Sequence, residues 1–285
     1  MKILLTGATG FVGRHIKKAL IKEKHELVMP THNEIDFNGN ITAEDWRPFL
    51  QGVDTVINAV GIIVEAKGQK FSRLHTDTPI ALFEACQQAG VKRVIQISAL
   101  GADDNAFTPY QKTKLTADDF LRDLPLSWFV FRPSLIYGEG GASFKMFKRL
   151  ASLPIISFPD GAKQQVQPVH ISDLVATVLQ TLKVGTEPHQ TLDIVGPKPM
   201  SLAEYIQTIR ASLGRKKLSI IPVPMSLTLL TARLMKYLMP IMHPDNMRML
   251  QQGNTADVAP LTRFLGREPL SVEDALNTMK IEEGL

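Results

Sequence analysis

The stretch Thr6-Gly7-Ala8-Thr9-Gly10-Phe11-Val12-Gly13 follows an apolar run, Ile3-Leu4-Leu5, and precedes a helical spacing of apolar residues that begins at Arg14. A strand, a glycine turn and a helix in this order form the first half of a dinucleotide-binding βαβ unit. Gly7 permits a tight turn, Gly10 lets a pyrophosphate approach the backbone, and Gly13 lets the helix pack close to the strand. The stretch therefore predicts a dinucleotide site at the start of the chain.

Composition limits the other classes of function. The chain has 285 residues, of which 44% are hydrophobic and 21% charged, values typical of one large domain or one domain with a smaller lobe. The single cysteine, Cys86, excludes an internal disulfide and a multi-cysteine metal site, and it fits a reducing compartment. The net charge of +4 is spread over scattered Lys and Arg residues. We therefore expect no metal, no nucleic-acid partner and a cytoplasmic location.

The first half of the chain alternates strands and helices. The strands are near-continuously apolar rather than alternating, which indicates a parallel sheet covered on both faces. We predict strands at 1–5, 26–30, 53–61, 92–97 and 126–131, and helices at 14–21, 42–50, 71–89 and 108–122.

From about residue 138 the pattern loosens and prolines become frequent. The prediction is an α/β protein with a doubly wound parallel sheet, the Rossmann arrangement, and a smaller α+β C-terminal lobe. Residues 1–137 form the dinucleotide-binding core, and residues 138–285 form mainly the lobe, which interleaves with the end of the core. Strands are expected near 155–158, 165–169, 191–195 and 218–221, and helices near 143–151, 171–183, 201–213, 225–240 and 271–280.

A second group of chemistry-bearing residues is the pair Tyr110 and Lys114. They are four residues apart, so they share one face of the predicted helix. An ammonium near a phenol favours the phenolate and lowers the pKa of the tyrosine. Tyr110 could then exchange a proton with a hydroxyl or carbonyl while a hydride moves to or from a nicotinamide, and Lys114 could hold the ribose. The alternative is an ordinary amphipathic surface helix.

These segments together resemble the short-chain dehydrogenase/reductase superfamily, of the extended or atypical type related to NAD-dependent epimerases and dehydratases. Within it, residues 191–224 are similar to the atypical subgroup that includes the dehydrogenase-like accessory subunit of complex I and its bacterial relatives. The resemblance rests on the glycine turn and on the segments 90–102, 132–138, 167–174 and 191–224.

The resemblance implies a set of site residues. Tyr110 and Lys114 would be the catalytic pair, with Ser98 as a helper. Asp36 and Phe37 would lie beside the adenine, and His32 near the ribose. The pyrophosphate would be held by Gly7, Thr9, Gly10, Phe11, Val12 and Gly13; the cofactor would further be lined by Asn58, Ala59, Val60 and Gly61, with Pro133, Ser134 and Leu135 along the nicotinamide.

One departure concerns the choice of cofactor. NAD-preferring relatives carry an acidic residue at the end of the second strand, where it accepts hydrogen bonds from the ribose. Here the position is near Thr31-His32-Asn33, and the first carboxylate is Glu34. Arg14, just after the third glycine, could reach a 2′-phosphate. NADP is therefore favoured, with NAD as the alternative.

Two further departures concern the catalytic groups. Ser98 is only twelve residues before Tyr110, whereas the serine or threonine of the superfamily lies much farther upstream, so Ser98 could support the site without reaching the substrate. His75 stands where relatives often have an asparagine. It is either a proton relay or, as we favour, a helix histidine with ordinary hydrogen bonds.

The segment 222–242 is apolar and methionine-rich, but Arg233 and Lys236 interrupt it, so a membrane span is not expected. It could pack on the lobe, line an apolar substrate pocket, or contact a membrane surface or a protein complex. The leading function is hydride transfer to a small carbonyl or alcohol, and an apolar substrate is one option. The alternatives are a nucleotide-sugar-type epimerase or dehydratase, and a non-catalytic NADP(H)-binding subunit or sensor. The oligomeric state is left open.

Overall fold

The computed structural model describes residues 1–66, 68–224 and 244–283. These residues form two compact units. Unit 1 comprises Met1–Pro133 and Val175–Leu192, and unit 2 comprises Ser134–Leu174 and Asp193–Leu285. The chain therefore leaves unit 1 after Pro133, returns to it at Val175 and leaves it again after Leu192.

The helices and strands are numbered here in chain order. The strands are β1 (Lys2–Thr6), β2 (Glu26–Val28), β3 (Thr55–Asn58), β4 (Arg93–Ile97), β5 (Ser127–Pro133), β6 (Ile136–Tyr137), β7 (Ile155–Pro159), β8 (Gln165–Val166), β9 (Val169–His170), β10 (Gln190–Ile194), β11 (Met200–Ser201) and β12 (Ser219–Val223). The α-helices are α1 (Phe11–Lys22), α2 (Ala43–Trp46), α3 (Thr78–Gln88), α4 (Pro109–Arg122), α5 (Ala142–Ser152), α6 (Ile171–Thr181), α7 (Leu202–Ser212), α8 (Pro244–Gln252), α9 (Ala259–Leu265) and α10 (Val272–Glu283). Short 3-10 helices cover Arg47–Phe49 and Asp160–Ala162, and a π-helical turn covers Ser72–Asp77.

The central sheet of unit 1 has six strands in the order β10-β5-β4-β3-β1-β2, and strands β1 to β5 run parallel. The chain moves from β1 to β2 in one direction and then to β3 on the other side of β1. The order of the strands thus reverses between β1 and β3. In open α/β sheets the ligand binds at the carboxyl ends of the strands at such a reversal. Here those ends are Thr6 and Asn58.

The apolar faces of these strands form the core of unit 1. Leu4, Val56, Val94 and Val130, one from each of four neighbouring strands, are fully buried in it. Trp46 in α2 is also fully buried and closes the core at one side. Burial on this scale explains why the strands are continuously apolar, and it confirms the predicted doubly wound α/β fold.

The described part of unit 2 forms three two-stranded sheets, which pair β11 with β8, β12 with β7, and β6 with β9. Its core is aromatic: Tyr137, Phe144, Phe147 and Tyr205 pack together with ring centroids 5.4 to 5.9 Å apart where they meet. His170 lies 5.2 Å from the ring of Tyr137. The predicted α+β fold of a smaller C-terminal lobe is confirmed.

Most predicted elements are present, with two informative differences. The predicted helix at 71–89 begins with the π-helical turn Ser72–Asp77 before α3. Pro79 has no N–H to donate to a carbonyl oxygen of the preceding turn, so the regular α-helical hydrogen bonds are interrupted there. The wider π-helical turn provides hydrogen bonds for the neighbouring backbone groups instead. The predicted helix 225–240 lies outside the described residues. The same holds for residues 225–242 of the methionine-rich segment. Helices α8 and α9 were not predicted.

Candidate functional site

The glycine turn between β1 and α1 is a tight packing arrangement. Gly7 has a φ of +69°, and a Cβ on it would lie 2.7 Å from the carbonyl oxygen of Ala59. A Cβ on Gly13 would lie 2.0 Å from the carbonyl oxygen of Gly7. Gly10 differs, because its φ is −71° and its nearest neighbour would be the Gly7 oxygen at 3.3 Å. Gly7 and Gly13 are therefore required by the backbone, whereas Gly10 leaves open space beside the turn.

The N-terminus of α1 is suited to an anion. Gly10 is its N-cap, no side chain caps the helix, and its first turn contains no acidic residue. The first N–H groups of such a helix have no intrahelical acceptor, and the helix dipole favours negative charge there. Thr9 is exposed, Phe11 and Val12 are partly exposed, and Arg14 projects from the first turn. This donor set fits a pyrophosphate.

After β2 the carboxylates serve local structure. Glu34 Oε2 accepts hydrogen bonds from the N–H and the hydroxyl of Thr31, at 2.8 and 2.7 Å. Asp36 Oδ1 accepts from the N–H of Asn38 at 2.9 Å and lies 3.6 Å from His32 Nδ1.

Phe37, the apolar member of the predicted adenine pair, is partly buried. Its ring lies 5.6 Å from that of Trp46, and its carbonyl oxygen accepts a hydrogen bond from Thr78 Oγ1 at 3.0 Å. It therefore packs on the core of unit 1 on at least one side.

The turn after β3 begins at Asn58, which is fully buried. Its Oδ1 accepts from Thr6 Oγ1 at 2.6 Å, and its Nδ2 donates to Gln96 Oε1 at 2.8 Å. The side chain thus ties β1, β3 and β4 together. Because the side chain of Asn58 is engaged in this way, a contact of this turn with a cofactor would come from Ala59, Val60 or Gly61.

Lys114 lies behind this turn and is 3% exposed. Its Nζ donates to the carbonyl oxygens of Val60 at 3.2 Å and Ile97 at 2.9 Å, and a Cβ on Gly61 would lie 3.3 Å from it. Burial lowers the pKa of Lys114 to about 8, although the Asp118 carboxylate acts in the opposite direction. An ammonium has three hydrogens, and these two bonds leave one for another acceptor.

Tyr110 lies in the first turn of α4. The helix begins there because Thr108 is the N-cap, forms a capping box with Gln111, and precedes a proline. The ring of Tyr110 meets those of Phe71 and His75 edge to face, at centroid distances of 5.8 and 5.5 Å. The three rings form an aromatic wall beside the Gly61 turn, since His75 also reaches that turn.

The expected lowering of the tyrosine pKa is wrong. Burial raises the pKa of Tyr110 to about 12, and the negative charge of Asp118 raises it as well. The sequence argument considered only the ammonium of Lys114 and not the buried carboxylate one turn further along the helix. The phenol is therefore fully protonated at neutral pH.

Ser98, at the end of β4, is buried and donates a short hydrogen bond to Asp118 Oδ2. Asp118 is fully buried. Burial raises its pKa to about 6, against the lowering effects of Ser98, Lys114, Arg122 and Gln96. The hydroxyl proton of Ser98 is thus directed at Asp118, in agreement with a supporting role for this serine.

His75 is held as a neutral ring. Its Nε2 accepts from the N–H of Ile62 at 3.1 Å, so Nδ1 carries the proton and faces Thr113 Oγ1 at 3.3 Å. Thr113 in turn donates to the carbonyl oxygen of Pro109. Burial, together with Lys114, lowers the pKa of His75 to about 2. A chain of donors that ends at a carbonyl does not relay protons, which favours the ordinary structural role.

The segment 133–135 is divided between the units. Pro133 ends β5, and its carbonyl oxygen accepts from the N–H of Leu100 at 3.0 Å. Ser134 belongs to unit 2 and donates to the carbonyl oxygen of Gln167 at 2.6 Å. Leu135 packs on the core of unit 2. The contact of these residues with a nicotinamide stays a prediction.

Two features are absent from the described residues. No group of three or more His, Cys, Asp or Glu side chains there could hold a metal ion. Within the same ranges, no helix combines the length and the apolar character needed to cross a bilayer.

The comparison with known families places the chain. The profile of the NAD dependent epimerase/dehydratase family matches residues 3–194. The chain belongs to this family. The match runs from β1 to the end of β10, so it includes the glycine turn, Tyr110 and Lys114. It confirms the resemblance to short-chain dehydrogenases of the extended or atypical type.

Individual relatives are distant. The chain is 24% identical over 242 residues to the mitochondrial NADH dehydrogenase [ubiquinone] 1 alpha subcomplex subunit 9 of Mus musculus, covering 78% of this chain and 63% of the relative. It is 27% identical over 194 residues to the ceramide reductase of Caulobacter vibrioides, covering 62% of this chain and 59% of the relative. The chain thus spans about three fifths of the length of these relatives.

Among solved structures, MoeE5 in complex with UDP-glucuronic acid and NAD superposes with a TM-score of 0.72 at 20% identity, covering 100% of both chains. At this identity the likeness concerns the fold. The expected similarity to the accessory subunit of complex I is thus found.

Sequence reasoning missed Asp118 and Phe71 as parts of the site. Asp118 could have been predicted from the sequence, because it follows Lys114 by four residues and Tyr110 by eight and so shares their face of the helix. Phe71 could not have been predicted, because its contact with Tyr110 depends on the π-helical turn that follows it.

Proposed function

We propose that this protein is an NAD(P)-dependent oxidoreductase that transfers a hydride between its cofactor and an apolar alcohol or carbonyl compound. The single observation that carries the proposal is the placement of Tyr110 and Lys114 on one face of α4, beside the Gly61 turn at the carboxyl edge of the sheet. That edge is where dinucleotides bind in open α/β sheets.

NADP is the cofactor we favour. The nearest carboxylate after β2 is Glu34, whose Oε2 accepts two hydrogen bonds from Thr31, so that oxygen is already used and is less able to accept from a ribose 2′-hydroxyl. Arg14 lies on the exposed side of the first turn of α1. A guanidinium recognises a phosphate through charge-assisted hydrogen bonds, which supports a 2′-phosphate at this position.

The proposed substrate is apolar because large hydrophobic side chains are exposed on both segments that adjoin Tyr110. Ile63, two residues after Gly61, is 49% exposed, and Phe107, three residues before Tyr110, is 39% exposed. The ring of Phe71 lies between these segments in sequence and contacts Tyr110. Exposed apolar groups beside a polar catalytic pair are typical of sites that bind apolar ligands. The named activity of the ceramide reductase relative is consistent with such a ligand.

The chemistry assigned to the chain is proton transfer. The nicotinamide supplies or accepts the hydride when it is bound. Tyr110 Oη would give its proton to the carbonyl oxygen during reduction, or take it from the alcohol during oxidation. Lys114 would hold the ribose with its remaining hydrogen and place a positive charge behind the phenol. His75 and Phe71 would hold the ring of Tyr110 in place.

Replacing Tyr110 with Phe tests this assignment. The change removes one oxygen atom and keeps the aromatic wall, so we expect the affinity for NADPH to stay within about twofold while turnover falls roughly 10²–10⁴-fold. Turnover would be followed as NADPH consumption over a panel of long-chain and polycyclic ketones, and affinity by calorimetry. Unchanged turnover with an accepted ketone would remove Tyr110 from the mechanism.

A second candidate function is a non-catalytic NADP(H)-binding subunit of a larger complex. It is favoured by the capture of the Ser98 hydroxyl by Asp118, and the similarity to the complex I subunit is consistent with it. In that case NADPH would bind as tightly, but no ketone of the panel would be reduced. An epimerase or dehydratase would instead convert a nucleotide sugar without net consumption of the cofactor.

A further inference from the structure

The strands β7 and β12 form a two-stranded sheet in unit 2 with one buried and one exposed face. They pair in parallel, with Ile155 opposite Ser219 and Ser157 opposite Ile221. Because side chains alternate between the two faces of a sheet, these four residues share one face. Ile156 lies on the other face and is buried in the core of unit 2. On the outer face Ile155 and Ile221 are 55% and 52% exposed.

Two further exposed leucines lie next to these strands. Leu153 follows the end of α5 and is 49% exposed, and Leu213 follows the end of α7 and is 37% exposed. The buried Arg210 joins the two chain segments. Its Nη1 donates to the carbonyl oxygens of Ala151 and Leu153, both at 2.7 Å, and its Nε donates to the carbonyl oxygen of Lys216. Leu153 and the turn that contains Lys216 are therefore held side by side.

This turn is basic. Residues 215–217 are Arg, Lys and Lys, and all three are exposed. Arg215 Nη1 donates to the carbonyl oxygen of Ser152 at 2.8 Å, which ties the turn to the end of α5. No acidic residue occurs in the sequence from 140 to 159 or from 205 to 244. Positive charge thus lies beside exposed aliphatic side chains, and neither segment contains a carboxylate to balance it.

We define the β7–β12 surface as Leu153, Ile155, Leu213, Ile221 and the basic turn 215–217, and we propose that it docks on a lipid bilayer that contains anionic lipids. The aliphatic side chains leave water at such an interface, and the basic groups are attracted by the headgroups. A protein partner is disfavoured, because protein interfaces are enriched in aromatic residues and depleted of lysine. The proposal goes beyond the proposed hydride transfer and does not depend on it.

Flotation of the whole chain with lipid vesicles tests the proposal. We expect the wild type to bind vesicles of phosphatidylcholine that contain about one third phosphatidylglycerol, and to bind pure phosphatidylcholine about tenfold or more weakly. Raising the NaCl concentration from ~0.1 M to ~0.5 M should weaken the binding, because the Debye length becomes shorter. Absence of binding to the anionic vesicles at ~0.1 M NaCl would overturn the proposal.

Two double variants separate the apolar and the basic contributions. Ile155→Ser with Ile221→Ser removes the aliphatic groups of the outer face and should weaken binding about tenfold or more. Lys216→Gln with Lys217→Gln should weaken it roughly 10- to 30-fold, about fivefold for each charge. Wild-type binding by both variants would place the contact elsewhere in the chain. Loss in the lysine variant alone would indicate attraction between charges without apolar contact, and either result would overturn the proposal.

Ile21 provides the matched control. It lies in α1 of unit 1 and is 55% exposed, like Ile155, and Lys22 follows it. Ile21→Ser should therefore bind the anionic vesicles like the wild type. All the changed side chains are exposed, so every variant should unfold at about the wild-type urea concentration. Equal weakening by Ile21→Ser and by the double isoleucine variant would show that the β7–β12 surface is not the docking site.

A fluorescence measurement gives a readout that does not depend on weakened binding. Cys86 is the only cysteine of the chain and is buried, so an environment-sensitive dye can be attached to Ile221→Cys alone. Its emission should shift to shorter wavelength when the anionic vesicles are added, because the dye leaves water. The same dye on Ile21→Cys should not shift. Unchanged emission of the dye at position 221 in the presence of bound vesicles would overturn the proposal.

Discussion

Replacing Gly13 with Ala should destabilise the protein by preventing the close approach of α1 to the turn. The added methyl would lie 2.0 Å from the carbonyl oxygen of Gly7, 2.7 Å from its carbonyl carbon and 3.0 Å from the Cα of Ala8. All three are backbone atoms, so no side chain can rotate away. An ordinary carbon–oxygen contact is about 3.4 Å, which means that the helix must move by more than about 1 Å. Overpacking of this kind costs about 1–3 kcal/mol, and we expect the upper end because α1 carries buried residues with it.

Gly10→Ala is the matched control within the same turn. Its methyl would meet only the Gly7 oxygen, at 3.3 Å, and its φ of −71° suits any residue. We expect a loss of about 1 kcal/mol or less, from the poorer N-cap. The methyl would nevertheless stand where the pyrophosphate is proposed to approach the helix, so the affinity for NADPH should fall by tenfold or more, or about 1.4 kcal/mol.

Urea denaturation followed by circular dichroism measures the first effect, and calorimetric titration with NADPH measures the second. The two variants should therefore separate, with Gly13→Ala losing stability and Gly10→Ala losing affinity. If Gly13→Ala unfolds at the wild-type urea concentration, the close packing of α1 on the turn is not as described. If Gly10→Ala binds NADPH as tightly as the wild type, the pyrophosphate does not lie on this turn.

Two further predictions concern charged residues. Arg14→Ala should weaken NADPH binding roughly 10- to 100-fold, the range for a charge-assisted hydrogen bond, and leave NADH binding unchanged; calorimetry that shows equal losses for both cofactors would refute the role of Arg14. The pKa of Lys114 is about 8 in the folded chain and 10.5 in the unfolded chain. Between these two pH values the unfolded chain binds more protons than the folded chain. The free energy of unfolding should therefore rise with pH across this range. Compared with Lys114→Met in parallel denaturation series, this rise should be about 3 kcal/mol; parallel curves for the two proteins would contradict the burial of a charged Lys114.

The elements of unit 1 could be predicted because each carries its own local signal. The glycine turn and the apolar strands each depend on a few neighbouring residues, and both lie where they were expected. Thr42 and Thr108 are N-caps with capping boxes, which sequence also indicates. Unit 2 was harder, because strands of two residues such as β6 and β11 are too short to show a period.

For the candidate site, only the properties that depend on local sequence spacing could be predicted. Tyr110 and Lys114 were placed correctly on one face of a helix, because their spacing fixes that face. The pKa of Tyr110 was predicted in the wrong direction, because it depends on burial and on Asp118, and a sequence shows neither. The position of Ser98 suggested a supporting role, but the partner that explains it became visible only when β4 and α4 were brought together.

The measurement that tests the central claim most directly is a crystal structure of the protein with NADPH bound. We expect the pyrophosphate on the N-terminus of α1 and the Tyr110 oxygen within about 5 Å of the nicotinamide C4, since a carbonyl between them must reach both. A tyrosine oxygen more than about 8 Å from that carbon would exclude proton transfer concerted with hydride transfer. A dinucleotide bound away from the turn Gly7 to Gly13 would contradict the assignment of the cofactor site to this turn.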